Sequence, residues 1–146
     1  IAHGEGFGLP LFEAACSGLP VVTIDWGGQM DFLYAPKKKK GTNKIKSRPH
    51  FIRVEYDLMP VQEEALWEGV IIPQAMWAFP REKSYKKALR DTIKDHKRHV
   101  ATAKKLKKYI TERFSFANQS QVFADAIWAG DAATVTTQPM QVQTFE

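Results

Sequence analysis

The segment Gly4-Glu-Gly-Phe-Gly-Leu-Pro-Leu-Phe-Glu13 leaves few ways for the chain around it to fold. Three glycines alternate, and a proline follows two residues after the last. Glycine reaches backbone conformations closed to other residues, so the stretch reads as a tight turn. Proline suits the first turn of a helix, where its missing N–H would have had no partner. Leu11, Phe12, Ala14 and Ala15 continue that helix, and Gly18 fits a left-handed cap at its end. Pro20-Val-Val-Thr-Ile24 is a β-branched run suited to a buried parallel strand, and Asp25-Trp-Gly-Gly28 is a turn. Glycine turn, short helix, buried strand and second turn make an α/β arrangement.

The same segment carries chemistry. Glu5 lies in the turn and Glu13 in the first turns of the helix, with seven residues between them. Folding back at the turn lets both border one cleft at the helix N-terminus. Free N–H groups and the positive end of the helix dipole favour a phosphate there. The helix-borne carboxylate can accept two hydrogen bonds from a cis-diol such as a ribose. The turn-borne one faces whatever the phosphate carries. The physical reading is a cradle for a nucleoside diphosphate with a sugar-facing acid. A dinucleotide fingerprint fits less well, because the glycines are spaced G-x-G-x-G and no strand precedes them within the chain.

Residues 36–49, PKKKKGTNKIKSRP, lack periodicity and predict an exposed loop or insertion. Residues 51–56 alternate as a strand does. Residues 61–80, apolar but broken by Pro73 and Pro80, predict irregular packed structure. From Glu82 the period becomes helical. Tyr85, Leu89, Ile93, His96, Val100, Ala103, Leu106, Ile110 and Phe114 form one apolar stripe on a basic helix or helix pair. Ser115 is positioned to cap a further helix through Val122, Phe123, Ile127 and Trp128, ending at Gly130. The expected division is a domain over 1–130 and a flexible tail over 131–146.

Composition narrows the class. The chain has 146 residues, 44% hydrophobic, and a net charge of +5. No apolar run nears the roughly 18–20 residues that cross a bilayer. A lone cysteine, Cys16, excludes an intrachain disulfide framework and points to a reducing cytoplasm. On a short helix beside a strand it reads as a small core residue. His96 and His99 lie three apart, but no further ligand joins them at metal spacing, so no metal is expected. Trp67, Trp77 and Trp128 are expected in packing, with Trp26 open as a sugar platform. Seven basic residues and no acid lie between Lys37 and Arg48, and thirteen basic against four acidic between Arg81 and Arg113. Such asymmetry suits nucleic acid, an anionic membrane or a solvated helix face. The single aliphatics of the helical stripe favour packing on a sheet over lying in a membrane.

HGEGFGLPLFEAACSGLPVVTIDWGGQMDFL resembles the E-x7-E region of GT-B glycosyltransferases, the retaining group 1 type that uses nucleotide-sugar donors. The likeness runs through the GLPVV strand and the DWGG turn with Asp31 after it. It continues more loosely through Arg53–Pro60, Trp77-Ala-Phe-Pro80 and Arg113-Phe-Ser115, and so spans residues 2 to about 129. The resemblance implies an α/β fold, a partial Rossmann-like C-terminal donor domain with long C-terminal helices. It implies that Glu5 is the catalytic residue beside the donor sugar. Gly6, Phe7, Gly8 and Leu9 would bind donor through backbone N–H groups, Glu13 would hold the ribose, and His3 would touch the sugar. It implies no cofactor and no obligatory metal, and this chain has no D-x-D in which a metal would bridge the phosphates.

Phe79 stands where the likeness would place an acid, and the Lys37–Lys40 run looks like an insertion. The family's phosphate-binding Arg and Lys lie upstream of the first Glu, outside this chain, as does its acceptor-binding N-terminal domain. A chain starting at Ile1 thus reads as a fragment or processed product that transfers sugar to a carbohydrate or lipid-linked acceptor only within a longer protein. Expected partners are a nucleotide sugar, the peripheral inner face of a membrane and, through an uncovered sheet edge, a second copy; nucleic acid is not expected. The alternative is a non-catalytic nucleotide-binding or interaction module derived from a truncated glycosyltransferase.

Overall fold

A computed structural model describes residues 2–38, 41 and 43–128, and its fold is mixed α and β. The expected tail over 131–146, the cap at Gly130, and Lys39 and Lys40 lie outside the described residues. The chain divides into two units, residues 1–111 and 112–146.

In the first unit, α1 (Leu9–Ser17) begins with Pro10 in its first turn and ends on Gly18, which is left-handed at φ 79°. β1 (Val22–Ile24) pairs in parallel with β4 (Ile52–Val54), setting Thr23 beside Arg53. That is the buried parallel strand expected of the Val-Val-Thr-Ile run. Ile24 and Val54 are fully covered, and with Ala78 and Ala88 they centre an apolar cluster flanked by Val22, Ile52, Tyr56 and Leu58.

Three expectations change. Residues 36–49 are not a loop. After the single turn α2 (Met30–Leu33), β2 (Tyr34–Lys38) and β3 (Ile45–Pro49) form an antiparallel hairpin. Its outer residues are exposed on both faces, so no apolar alternation marks them. Residues 51–56 are not one strand: the chain leaves the parallel pair at Glu55 and starts β5 (Tyr56–Pro60). The Glu55 N–H donates to Ser84 Oγ at 2.9 Å and its carbonyl accepts from Arg81 N–H at 2.8 Å, so the break is held in place. The region 61–80 ends in β6 (Met76–Pro80), which pairs antiparallel with β5. Pro80 is tolerated because it closes the strand, where a missing N–H interrupts little.

The basic helical region is two helices, α3 (Glu82–Lys94) and α4 (His96–Arg113), parted at Asp95. On α4 the expected stripe is met at Ala103, Leu106 and Ile110, which are buried, and not at His96, which is exposed. On α3 it is not. Ala88 is the buried residue, while Tyr85, Leu89 and Ile93 are exposed. Alanine lets the helix approach the sheet closely; Tyr85 and Leu89 border the groove beside Val22 and Thr23, and Ile93 is open to solvent. Trp67 is also exposed, contrary to the packing expected of it.

The second unit holds α5 (Phe116–Trp128). Ser115 Oγ accepts from Asn118 N–H at 3.3 Å, the expected cap. Phe116, Phe123 and Trp128 are all exposed on this helix.

Candidate functional site

The backbone of the glycine segment is held by the second glycine turn. Gly28 N–H donates to the Glu5 carbonyl at 2.9 Å. A Cβ on Gly28 would overlap the Gly6 carbonyl oxygen and lie 3.1 Å from Phe7 Cα, so only glycine allows the two turns to touch. Gly8, left-handed at φ 85°, then turns the chain into α1 without a side-chain cap. The first intrahelical bond runs from Phe12 N–H to the Gly8 carbonyl at 2.9 Å. The N–H groups of Gly8, Leu9 and Leu11 precede it and have no intrahelical acceptor, which makes this end a place for an anion.

Phe7 does more than lend its backbone. Its ring packs 5.3 Å from Phe12 and 5.1 Å from the buried Phe32, fastening the loop to the core. Gln29, almost wholly buried, donates through Nε2 to the Trp26 carbonyl and to the Ile24 carbonyl at 3.5 Å. Its Oε1 is buried and has no hydrogen-bond partner among the described residues.

Glu5 is half-buried and lines a groove of 410 Å³ with Pro10, Leu11, Val22, Thr23 and Gln29. Glu13 is exposed on α1 and is not among the residues lining it. Two positions along a helix turn a side chain by about 200°, so Leu11 faces this groove and Glu13 faces elsewhere. His3 is tied to β6: its carbonyl accepts from Ala78 N–H at 3.1 Å, and its Nδ1 lies 3.0 Å from the Ala78 carbonyl. Its ring stacks on Trp77 and lies 4.4 Å from Phe79. Half-buried Cys16 has its thiol pKa pushed up, chiefly by burial, which suits a packing residue.

One cluster was not legible in the sequence. Tyr34 Oη donates to both Asp25 oxygens, at 2.8 and 2.9 Å, and Arg53 Nη2 lies 2.8 Å from Asp25 Oδ2. The parallel register that sets Arg53 beside Thr23 makes this possible, and no local spacing announces it. The cluster sits at the carboxyl ends of β1 and β4, the edge where open parallel sheets take ligands. Burial, then the hydrogen bond to Asp25, raises the Tyr34 pKa above its ordinary 10.0. A raised folded value means the stabilisation is complete below the ordinary tyrosine range and is lost as pH climbs toward the folded value. Urea midpoints measured across the alkaline range should therefore fall for the native chain and fall less for Tyr34→Phe. Tyr56 and Cys16, shifted the same way, contribute further slope. At neutral pH the same substitution should cost about 1 kcal/mol.

Among the described residues no group of three His, Cys, Asp or Glu is placed to hold a metal ion, and no helix is long and apolar enough to cross a membrane. Comparison with protein-family models, with curated proteins and with solved structures finds no match.

Proposed function

We propose that this chain is the nucleotide-sugar-binding part of a retaining GT-B glycosyltransferase, a partial Rossmann-like donor domain. The observation that carries the reading is the uncapped N-terminus of α1, reached through a left-handed Gly8 and braced by the Gly28–Glu5 backbone bond. The resemblance of residues 2–33 to the E-x7-E region supplies the identity of the ligand. The parallel β1–β4 pair, with α1 leading into β1 and Ala88 of α3 covering Ile24 and Val54, supports the fold assignment.

In this reading the diphosphate sits on the N–H groups of Gly8, Leu9 and Leu11, with Gly6 leaving room for close approach. Donors already aimed at the leaving diphosphate need no reorganisation as its charge develops. Glu5, in the groove beside α1, faces the donor sugar and the reacting bond, and His3 borders it. Exposed Glu13 accepts the ribose hydroxyls from the outer side of the helix. Sugar transfer to a hydroxyl acceptor then requires the acceptor-binding domain of a longer protein.

Titration of the chain with UDP, GDP and ADP tests this. One nucleotide should bind, and Glu13→Ala should weaken it about 10–100-fold, since hydrogen bonds to a charged group contribute roughly 1.5–3 kcal/mol. An unchanged dissociation constant in the variant removes the ribose assignment. Failure of all three nucleotides to bind a folded chain removes the cradle.

A further inference from the structure

The β2–β3 hairpin belongs neither to the core nor to the nucleotide cradle. Its root is fixed, with Ala35 buried and the Tyr34 ring edge-on to Phe51 at 5.8 Å. Beyond Ala35, every described residue as far as Arg48 is exposed. Three residues of strand reach about 10 Å from that root. At Lys38 that is slightly more than the Debye length of about 8 Å at physiological salt, so acids behind the root act on it only weakly.

The arm also holds no acid of its own. No acidic residue occurs between Asp31 and Glu55. Among the described residues, no ion pair involves Lys37, Lys38, Lys46 or Arg48. The helices differ: Lys86 pairs with Glu82, Lys87 with Asp91 and Arg98 with Asp95. Register sets Lys37 directly across from Lys46, and like charges so placed destabilise a ribbon that is marginal on its own. An external anion relieves that repulsion.

The side chains decide which anion. Six of the seven basic residues between Lys37 and Arg48 are lysines, point charges without the planar fork that reads phosphates and bases in pairs. No aromatic side chain lies between Pro36 and Arg48 on which a base would stack. Ile45, opposite Lys38 and flanked by Lys44 and Lys46, is 67% exposed. An exposed aliphatic among lysine stems suits the boundary between headgroups and acyl chains. The apolar face of α4 is spent on Ala103, Leu106 and Ile110, which are buried.

We infer that the β2–β3 ribbon is an electrostatic arm that docks the chain on an anionic lipid surface, with Ile45 at the contact. This stands apart from the nucleotide reading and survives its failure. The test is co-sedimentation of the whole chain with vesicles of phosphatidylglycerol and phosphatidylcholine in equal parts, or of phosphatidylcholine alone. The chain should pellet with the anionic vesicles at low salt, remain free with the neutral ones, and be released as salt rises.

Joint Lys37→Gln, Lys38→Gln and Lys46→Gln should weaken partitioning roughly fivefold per charge and about a hundredfold together. The thermal midpoint should not fall, because all three side chains are exposed and the Lys37–Lys46 repulsion is removed. Neutralising Lys104, Lys105 and Lys108 on α4 should weaken it far less. Ile45→Ser, which keeps every charge, should weaken binding without changing its salt dependence. Absence of pelleting, equal pelleting by the hairpin variant, or a greater loss from the α4 variant overturns the inference. So does tighter binding of a duplex oligonucleotide than of anionic vesicles, which reassigns the arm to nucleic acid.

Discussion

Gly28→Ala should unseat the glycine loop from the helix it feeds. The added methyl would overlap the Gly6 carbonyl oxygen, a backbone atom that cannot rotate aside as the end of a side chain can. One of the two turns must move, and the Gly28–Glu5 hydrogen bond goes with it. Overpacking and one lost backbone hydrogen bond together cost about 2–4 kcal/mol. The urea midpoint should fall accordingly. Under the proposed function nucleotide binding should fall as well, because the moved turn forms the approach to the N-terminus of α1. Gly4→Ala is the control. A Cβ there meets nothing within 4 Å, so stability and binding should stay near the native values. A Gly28→Ala chain of native stability and affinity would mean that the two turns do not touch in solution.

Phe32→Ala should be the most destabilising single truncation near the site. Phe32 is fully buried, and its ring meets Phe7 at 5.1 Å and Phe12 edge-on at 5.2 Å. Removing a buried phenyl ring costs roughly 3–5 kcal/mol, the spread reflecting how far the neighbours collapse. Phe7 then loses its anchor, so the loop should exchange its amide hydrogens faster than α1 does. Phe32→Leu keeps much of the volume and should cost less than half as much. A loss below about 1 kcal/mol for Phe32→Ala would remove the ring cluster from the core.

The legible features are those whose cause is local. Gly18 ends α1 because the left-handed cap excludes most side chains, and Ser115 caps α5 through its own hydroxyl. The hairpin escaped because a ribbon exposed on both faces has no apolar alternation, and its ladder is made of backbone groups that every residue except proline supplies. β6 escaped because Pro80 and its neighbours read as broken until β5 offered a partner. On α3 the apolar period misled because close approach to the sheet buries only Ala88, leaving Tyr85 and Leu89 at the edge of a groove and Ile93 in solvent.

Sequence alone determined the helix N-terminus, the buried Val-Val-Thr-Ile strand and the acid-free basic run. Each follows from residue chemistry within a few positions. Only tertiary structure decided that Gly28 braces the glycine loop, that Tyr34 and Arg53 gather on Asp25, and that Glu5 and Glu13 lie on different sides of α1. Of these, Arg53 reaches Asp25 from 28 positions away across the parallel register of β1 and β4, and pairing between distant strands leaves no periodic trace in either one.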